Sequence, residues 1–111
     1  MNSAKKYDVF CNGNYFFHDE HKVINGNFYV NGNADTERIW NVLEVFGDLI
    51  ISGTLYVGYV IVHGNLICNR IIYGQKIVVD GDVYVSGEIR AKSIICTSGD
   101  IFFDDTTNCK S

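Results

Sequence analysis

The chain has 111 residues, 47% of them hydrophobic and 20% charged, with a formal net charge of −4. That length holds one domain, residues 1–111, with a modest core, and the apolar content excludes a disordered chain. The acidic balance and the lack of a Lys/Arg cluster exclude a binder of phosphate backbones, so no nucleic-acid partner is expected.

Ile, Val, Tyr, Phe, Asn and Gly are abundant and proline is absent. This is strand and turn chemistry, in a chain whose backbone N–H groups are nearly all needed in ladders. No run is long enough to span a membrane, and Met1–Phe10 lacks the apolar stretch of a secretion signal. A cytoplasmic location is expected.

One six-residue phrase recurs along the chain, with copies starting at Tyr7, Gly26, Gly47, Gly64, Gly81 and Gly99, spaced by 19, 21, 17, 17 and 18 residues. The second position is always acidic or its amide: Asp8, Asn27, Asp48, Asn65, Asp82, Asp100. The third reads Val9, Phe28, Leu49, Leu66, Val83, Ile101, and the fifth Cys11, Val30, Ile51, Cys68, Val85, Phe103. A small polar residue and usually a second glycine follow; Arg70 and Asp105 replace that glycine. A repeat of this period means a solenoid, whose units bury their apolar residues only against one another.

Within each period three alternating apolar segments occur. They are Leu49–Ile51, Leu55–Val57 and Val60–Val62 in the third copy. In the fourth they are Leu66–Cys68, Ile72–Gly74 and Ile77–Val79, and in the fifth Val83–Val85, Ile89–Ala91 and Ile94–Cys96. Three short strands per turn predict an all-β fold, a single-stranded three-faced parallel β-helix of about five and a half coils of about 17 residues each. The glycines and the Asp/Asn column fall at corners, where Asn or Asp bonds local backbone or its own stacked copy. Residues 1–6 and 104–111 are polar tails.

One short insertion, residues 34–46, breaks the period. There Asp35 or Thr36 offers a cap for a short helix with Ile39, Leu43 and Phe46 on one face; an alternating strand containing Trp40 and Val42 fits nearly as well. Trp40, the single tryptophan, either plugs local packing or anchors a partner.

Cys11, Cys68 and Cys96 take inward positions as small hydrophobes, and Cys109 lies in the tail. There is no C-x-x-C pair, and Cys11 is three coils from Cys68, so all four read as thiols. His18 and His21 share a turn region while His63 is two coils away, which predicts solvated histidines and no metal. No nucleophile–base pair or phosphate loop is recognisable, so neither enzymatic activity nor a cofactor is expected.

If the third and fifth positions of the phrase point inward, the fourth points out. It reads Phe10, Tyr29, Ile50, Ile67, Tyr84, Phe102, apolar or aromatic in every copy. By the same alternation the second face exposes Phe16, Tyr56, Tyr73 and Arg90, and the third Ile61, Val78 and Ile95. A continuous stripe of this kind is an expected interface.

The phrases GDLIISG, VDGDVYVSGEIRAKSI and SGDIFF, between Gly47 and Phe103, resemble the bactofilins, a bacterial family of polymer-forming β-helices. The run Ser86–Ser93 is the nearest to that family's coil. The resemblance implies a right-handed helix, no enzymatic activity, and assembly of rods by end-to-end contact. The expected function is therefore a structural scaffold that associates with itself, as a dimer or polymer, through apolar outward faces. The alternative is a small acidic cytoplasmic inhibitor or immunity-type protein that binds one protein target.

Overall fold

The computed structural model describes residues 8–103, so Tyr7, Asp105, Cys109 and the two polar tails lie outside the described residues. The chain winds through three parallel sheets, adding one strand to each face per turn, in about six turns. The first face holds β1 (Val9–Asn12), β4 (Phe28–Asn31), β7 (Leu49–Ile51), β10 (Leu66–Cys68), β13 (Val83–Val85) and β16 (Ile101–Phe103). The second holds β2 (Tyr15–Phe17), β5 (Ala34–Thr36), β8 (Thr54–Leu55), β11 (Arg70–Gly74) and β14 (Ile89–Ala91). The third holds β3 (His21–Ile24), β6 (Val42–Val45), β9 (Tyr59–Val62), β12 (Lys76–Val79) and β15 (Ile94–Cys96). The three-faced β-helix read from the repeat is the observed fold.

Register follows the phrase. Val9, Phe28, Leu49, Leu66, Val83 and Ile101 are aligned in successive strands of the first face. The central four are fully buried and the terminal two half-buried. The third face stacks Leu43, Val60, Ile77 and Ile94 in the same way. These columns meet on the axis as one continuous core. Each fully buried side chain contributes about 1.5–3 kcal/mol, which no single coil obtains without its neighbours.

Two expectations are corrected. Among the described residues there is no helix. Residues 37–40 turn the corner between the second and third faces, closed by the Asn41 N–H donating to Arg38 O at 3.0 Å. Leu43 and Val45 then enter the core on β6, while Ile39 and Trp40 face solvent. The strand wins because β3 and β9 flank this segment and β6 supplies the ladder between them.

The second correction concerns the fourth coil, where Ile71, rather than Ile72, is the buried residue aligned with Leu55 and Ile89. Arg70 stands where other coils have Gly53 and Gly87, and that corner is tight. A Cβ at Gly53 would lie 2.7 Å from Gly32 O. The chain therefore enters the strand one residue early, at Arg70 opposite Thr54. A bulge after Ile71 restores the register at Gly74 opposite Ala91. Its second residue, Tyr73, adopts φ 64°, left-handed for a residue with a Cβ.

Candidate interaction surface

The six outward residues of the phrase form one column of the first face, in the order Phe10, Tyr29, Ile50, Ile67, Tyr84, Phe102. Alternation along each strand puts them opposite the buried set. Phe10 is 73% exposed and Tyr84 42%; Ile67 and Phe102 are also exposed, and Tyr29 and Ile50 half-buried. Parallel pairing in register stacks like on like. Phe10 and Tyr29 have ring centroids 4.8 Å apart at 10°, and Tyr84 and Phe102 lie 5.0 Å apart at 13°. Beside the second aromatic pair, Ile67, Tyr84 and Phe102 border an open groove of roughly 400 Å³ with Ser52, Asn69 and Ser86. Trp40 is not part of this column. Its turn is on the opposite corner, and the insertion leaves the stripe uncovered.

Polar ladders bracket the stripe. On one side the Asn31 amide donates to Asn12 Oδ1, Ser52 Oγ to Asn31 Oδ1, and Ser86 Oγ to Asn69 Oδ1 at 2.8 Å. On the other, the Asp/Asn column bonds coil to coil, with each Oδ1 from Asn27 to Asp82 accepting the backbone N–H of its counterpart in the next coil at 2.8–2.9 Å. Tyr84 Oη donates to Asp82 Oδ2 at 3.2 Å, and that carboxylate, more than burial, raises the phenol's pKa. The two ladders satisfy the polar corners internally, so the stripe between them offers apolar contact rather than hydrogen bonds.

The three histidines are exposed, as expected of solvated side chains, and each also has a carboxylate partner. His21 and His63 each lie 2.8 Å, through Nε2, from a different oxygen of Glu44, and His18 Nδ1 is 2.7 Å from Glu37 Oε1. An ionised carboxylate only accepts, so both Nε2 atoms on Glu44 carry hydrogen. The His63 ring also stacks on Phe46, with centroids 4.2 Å apart. These bonds, from His63 above all, hold Glu44 below the ordinary carboxylate pKa. Sequence reading missed this cluster because Glu44 meets His21 and His63 only once the four extra residues of the second coil are placed in the turn before β6. Among the described residues no group of three His, Cys, Asp or Glu side chains is arranged to hold a metal ion.

Cys11, Cys68 and Cys96 are free thiols on inward positions, and Cys68 is buried, with burial pushing its pKa up to about 12. No helix of the described residues is long and apolar enough to cross a membrane. No protein-family model, curated protein or solved structure matches the chain significantly. The coil geometry is compatible with a β-helix family.

Proposed function

We propose that this chain is a non-enzymatic, bactofilin-like scaffold of the cytoplasm that associates with itself through the apolar column of its first face. The supporting observation is that column: six apolar or aromatic side chains in register, four exposed and two half-buried, between ladders that leave little polar work to do. Stacking explains why neighbouring rings match, since cross-strand aromatic pairs contribute about 0.2–1 kcal/mol each. It does not explain why all six positions are aliphatic or aromatic and none is charged, where a continuous outward column in contact with water ordinarily mixes in charged residues. Three thiols at inward positions, none of them paired, fit a reducing compartment.

The triple variant Ile50→Ser, Ile67→Thr, Tyr84→Lys tests it. At low micromolar concentration the parent should scatter light as a dimer or larger and the variant as a folded monomer of 12.5 kDa. A parent that is monomeric, with the stripe open to labelling, sinks self-association. It would turn attention to the second reading, an inhibitor or immunity-type binder of one target. The observation favouring that reading is the turn carrying Trp40, 58% exposed with the Arg38 guanidinium 5.7 Å from its ring centroid, which the repeat itself does not require.

A further inference from the structure

The second face has a charge pattern that the repeat does not impose. Acidic residues occupy its lower coils and the adjoining corner: Asp19 and Glu20 in the first coil, Asp35 and Glu37 in the second. Basic residues occupy its upper coils, Arg70 in the fourth and Arg90 and Lys92 in the fifth, and Lys76 opens the adjoining third-face strand β12 of the fourth coil. All eight are exposed. Arg38 and Glu88 are the minority signs in the two halves. Between the halves the outward side chains are aromatic, Tyr56 and Tyr73, with ring centroids 6.3 Å apart. The bulge of β11 and its left-handed residue leave Tyr73 68% exposed.

From these positions we infer that the second face pairs with the same face of another copy, side by side and antiparallel, about a two-fold axis between Tyr56 and Tyr73. A two-fold there, lying in the contact plane and perpendicular to the rod, exchanges the second coil with the fifth and the third with the fourth. It keeps each corner opposite its own counterpart. Asp35 then faces Arg90 of the other copy, Glu37 faces Lys92, and Tyr56 faces Tyr73. Each contact occurs twice, giving four ion pairs around four tyrosines. An aromatic centre ringed by charge is the ordinary anatomy of a non-obligate interface. A parallel pairing in register would instead set Asp35 on Asp35 and Arg90 on Arg90.

The pairing is weak and salt-sensitive. Five strands about 4.8 Å apart and about 15 Å wide give each copy roughly 400 Å² before its corners, well short of the usual 800 Å² per partner. The charges also have partners at home. Arg90 Nε donates to Glu88 Oε2 at 2.6 Å and Glu37 holds His18, so the dimer draws on groups already engaged and partly screened.

The inference rests on the self-association reading only in its choice of partner, and it uses a different face. The test therefore uses the triple variant of the first-face stripe, with the parent alongside, in sedimentation equilibrium from micromolar to millimolar concentration. The stripe variant should show a monomer–dimer equilibrium that weakens in high salt. Asp35→Arg alone or Arg90→Asp alone should weaken it about tenfold or more, since each places like charges together twice. The double exchange, Asp35→Arg with Arg90→Asp, should restore the dimer, as should Glu37→Lys with Lys92→Glu. Circular dichroism confirms that each variant is folded.

Exchange without rescue, association without limit instead of a dimer, or a stripe variant monomeric at every concentration overturns the inference. In the last case an assembling parent leaves the first-face reading standing. A rescued dimer together with unchanged assembly of the stripe variant sinks the first-face reading instead. A parent monomeric throughout sinks both.

Discussion

Asp48 Oδ1 accepts the backbone N–H of Asn65 at 2.8 Å, and Asn65 Oδ1 accepts that of Asp82 at the same distance one coil further on. The glycine before each of these residues belongs to the same device. A Cβ at Gly47 would lie 2.6 Å from Asn27 Oδ1, and one at Gly64 would run into Asp48 Oδ1 and lie 2.8 Å from the Gly47 carbonyl. The Gly-Asp/Asn pair recurs because the side chain of one coil fills the space that a side chain at the glycine of the next would need.

Removing the acceptor is the direct test of this ladder. Asn65→Ala leaves the part-buried Asp82 N–H without its acceptor and should destabilise by about 1–2 kcal/mol in urea titration. Asn65→Asp keeps an oxygen in place but sets a third carboxylate between Asp48 and Asp82, so its cost should fall below that of alanine. Gly64→Ala should cost more than either, about 2–3 kcal/mol, because the backbone of Gly47 cannot yield to the new methyl. Equal stability of Asn65→Ala and the parent would show that the column does not hold the corners.

The orientation of the strands is tested by a pair of neighbours. Val85 is buried and Tyr84 points out. Val85→Asp puts an unpaired charge into the core and should leave no folded protein in circular dichroism, whereas Tyr84→Asp should keep the β-helix. The reverse order of melting would mean that inward and outward sets are exchanged.

The first and third faces were legible because their side chains carry the signal directly. Leu49, Leu66 and Val83 are 17 residues apart, and nothing but stacked coils puts them on one column. The second face was legible only in part. Its strands are short, and Arg70 in place of a glycine shifts the entry to β11 by one residue. A fixed offset from Leu55 therefore selects Ile72 where the structure buries Ile71. The insertion was ambiguous because Ile39, Leu43 and Phe46 have helical spacing, and only the ladder demands of β3 and β9 decide for a strand. The Glu44 cluster and the charge halves of the second face are relations across coils. They emerge when register is known and have no motif of their own.

Thiol chemistry gives a third prediction. Cys68 lies in the core with its pKa raised by burial to about 12, so at pH 8 essentially none of it is thiolate. In the native protein it should resist alkylation, and peptide mapping should find it modified only after unfolding in denaturant. Cys96 is half-buried and raised by desolvation first, then by Asp82 and Asp100, so it should react slowly rather than not at all. Rapid labelling of Cys68 without denaturant would show that the fourth coil opens locally.

Acid should weaken the fold through Glu44. Its pKa is lowered in the folded chain chiefly by the hydrogen bond from His63, with His21 adding to it against a partial desolvation that acts the other way. A group whose folded pKa lies below its unfolded one stabilises the fold fully above the unfolded value, here the ordinary 4.5, and loses that contribution as pH falls through the folded value. Lys22 is the nearest cation in β3, but it occupies an inward register position beneath Leu43, so the two imidazoles are the groups that face the carboxylate. Glu44→Gln should therefore be less stable than the parent at pH 7 and approach it below pH 4.5, by a small margin because water screens the cluster. His63→Phe should keep a ring on Phe46 while removing the larger of the two hydrogen bonds, and it should flatten the same acid limb. Parallel pH–stability curves for parent and Glu44→Gln would show that the carboxylate contributes nothing to folding.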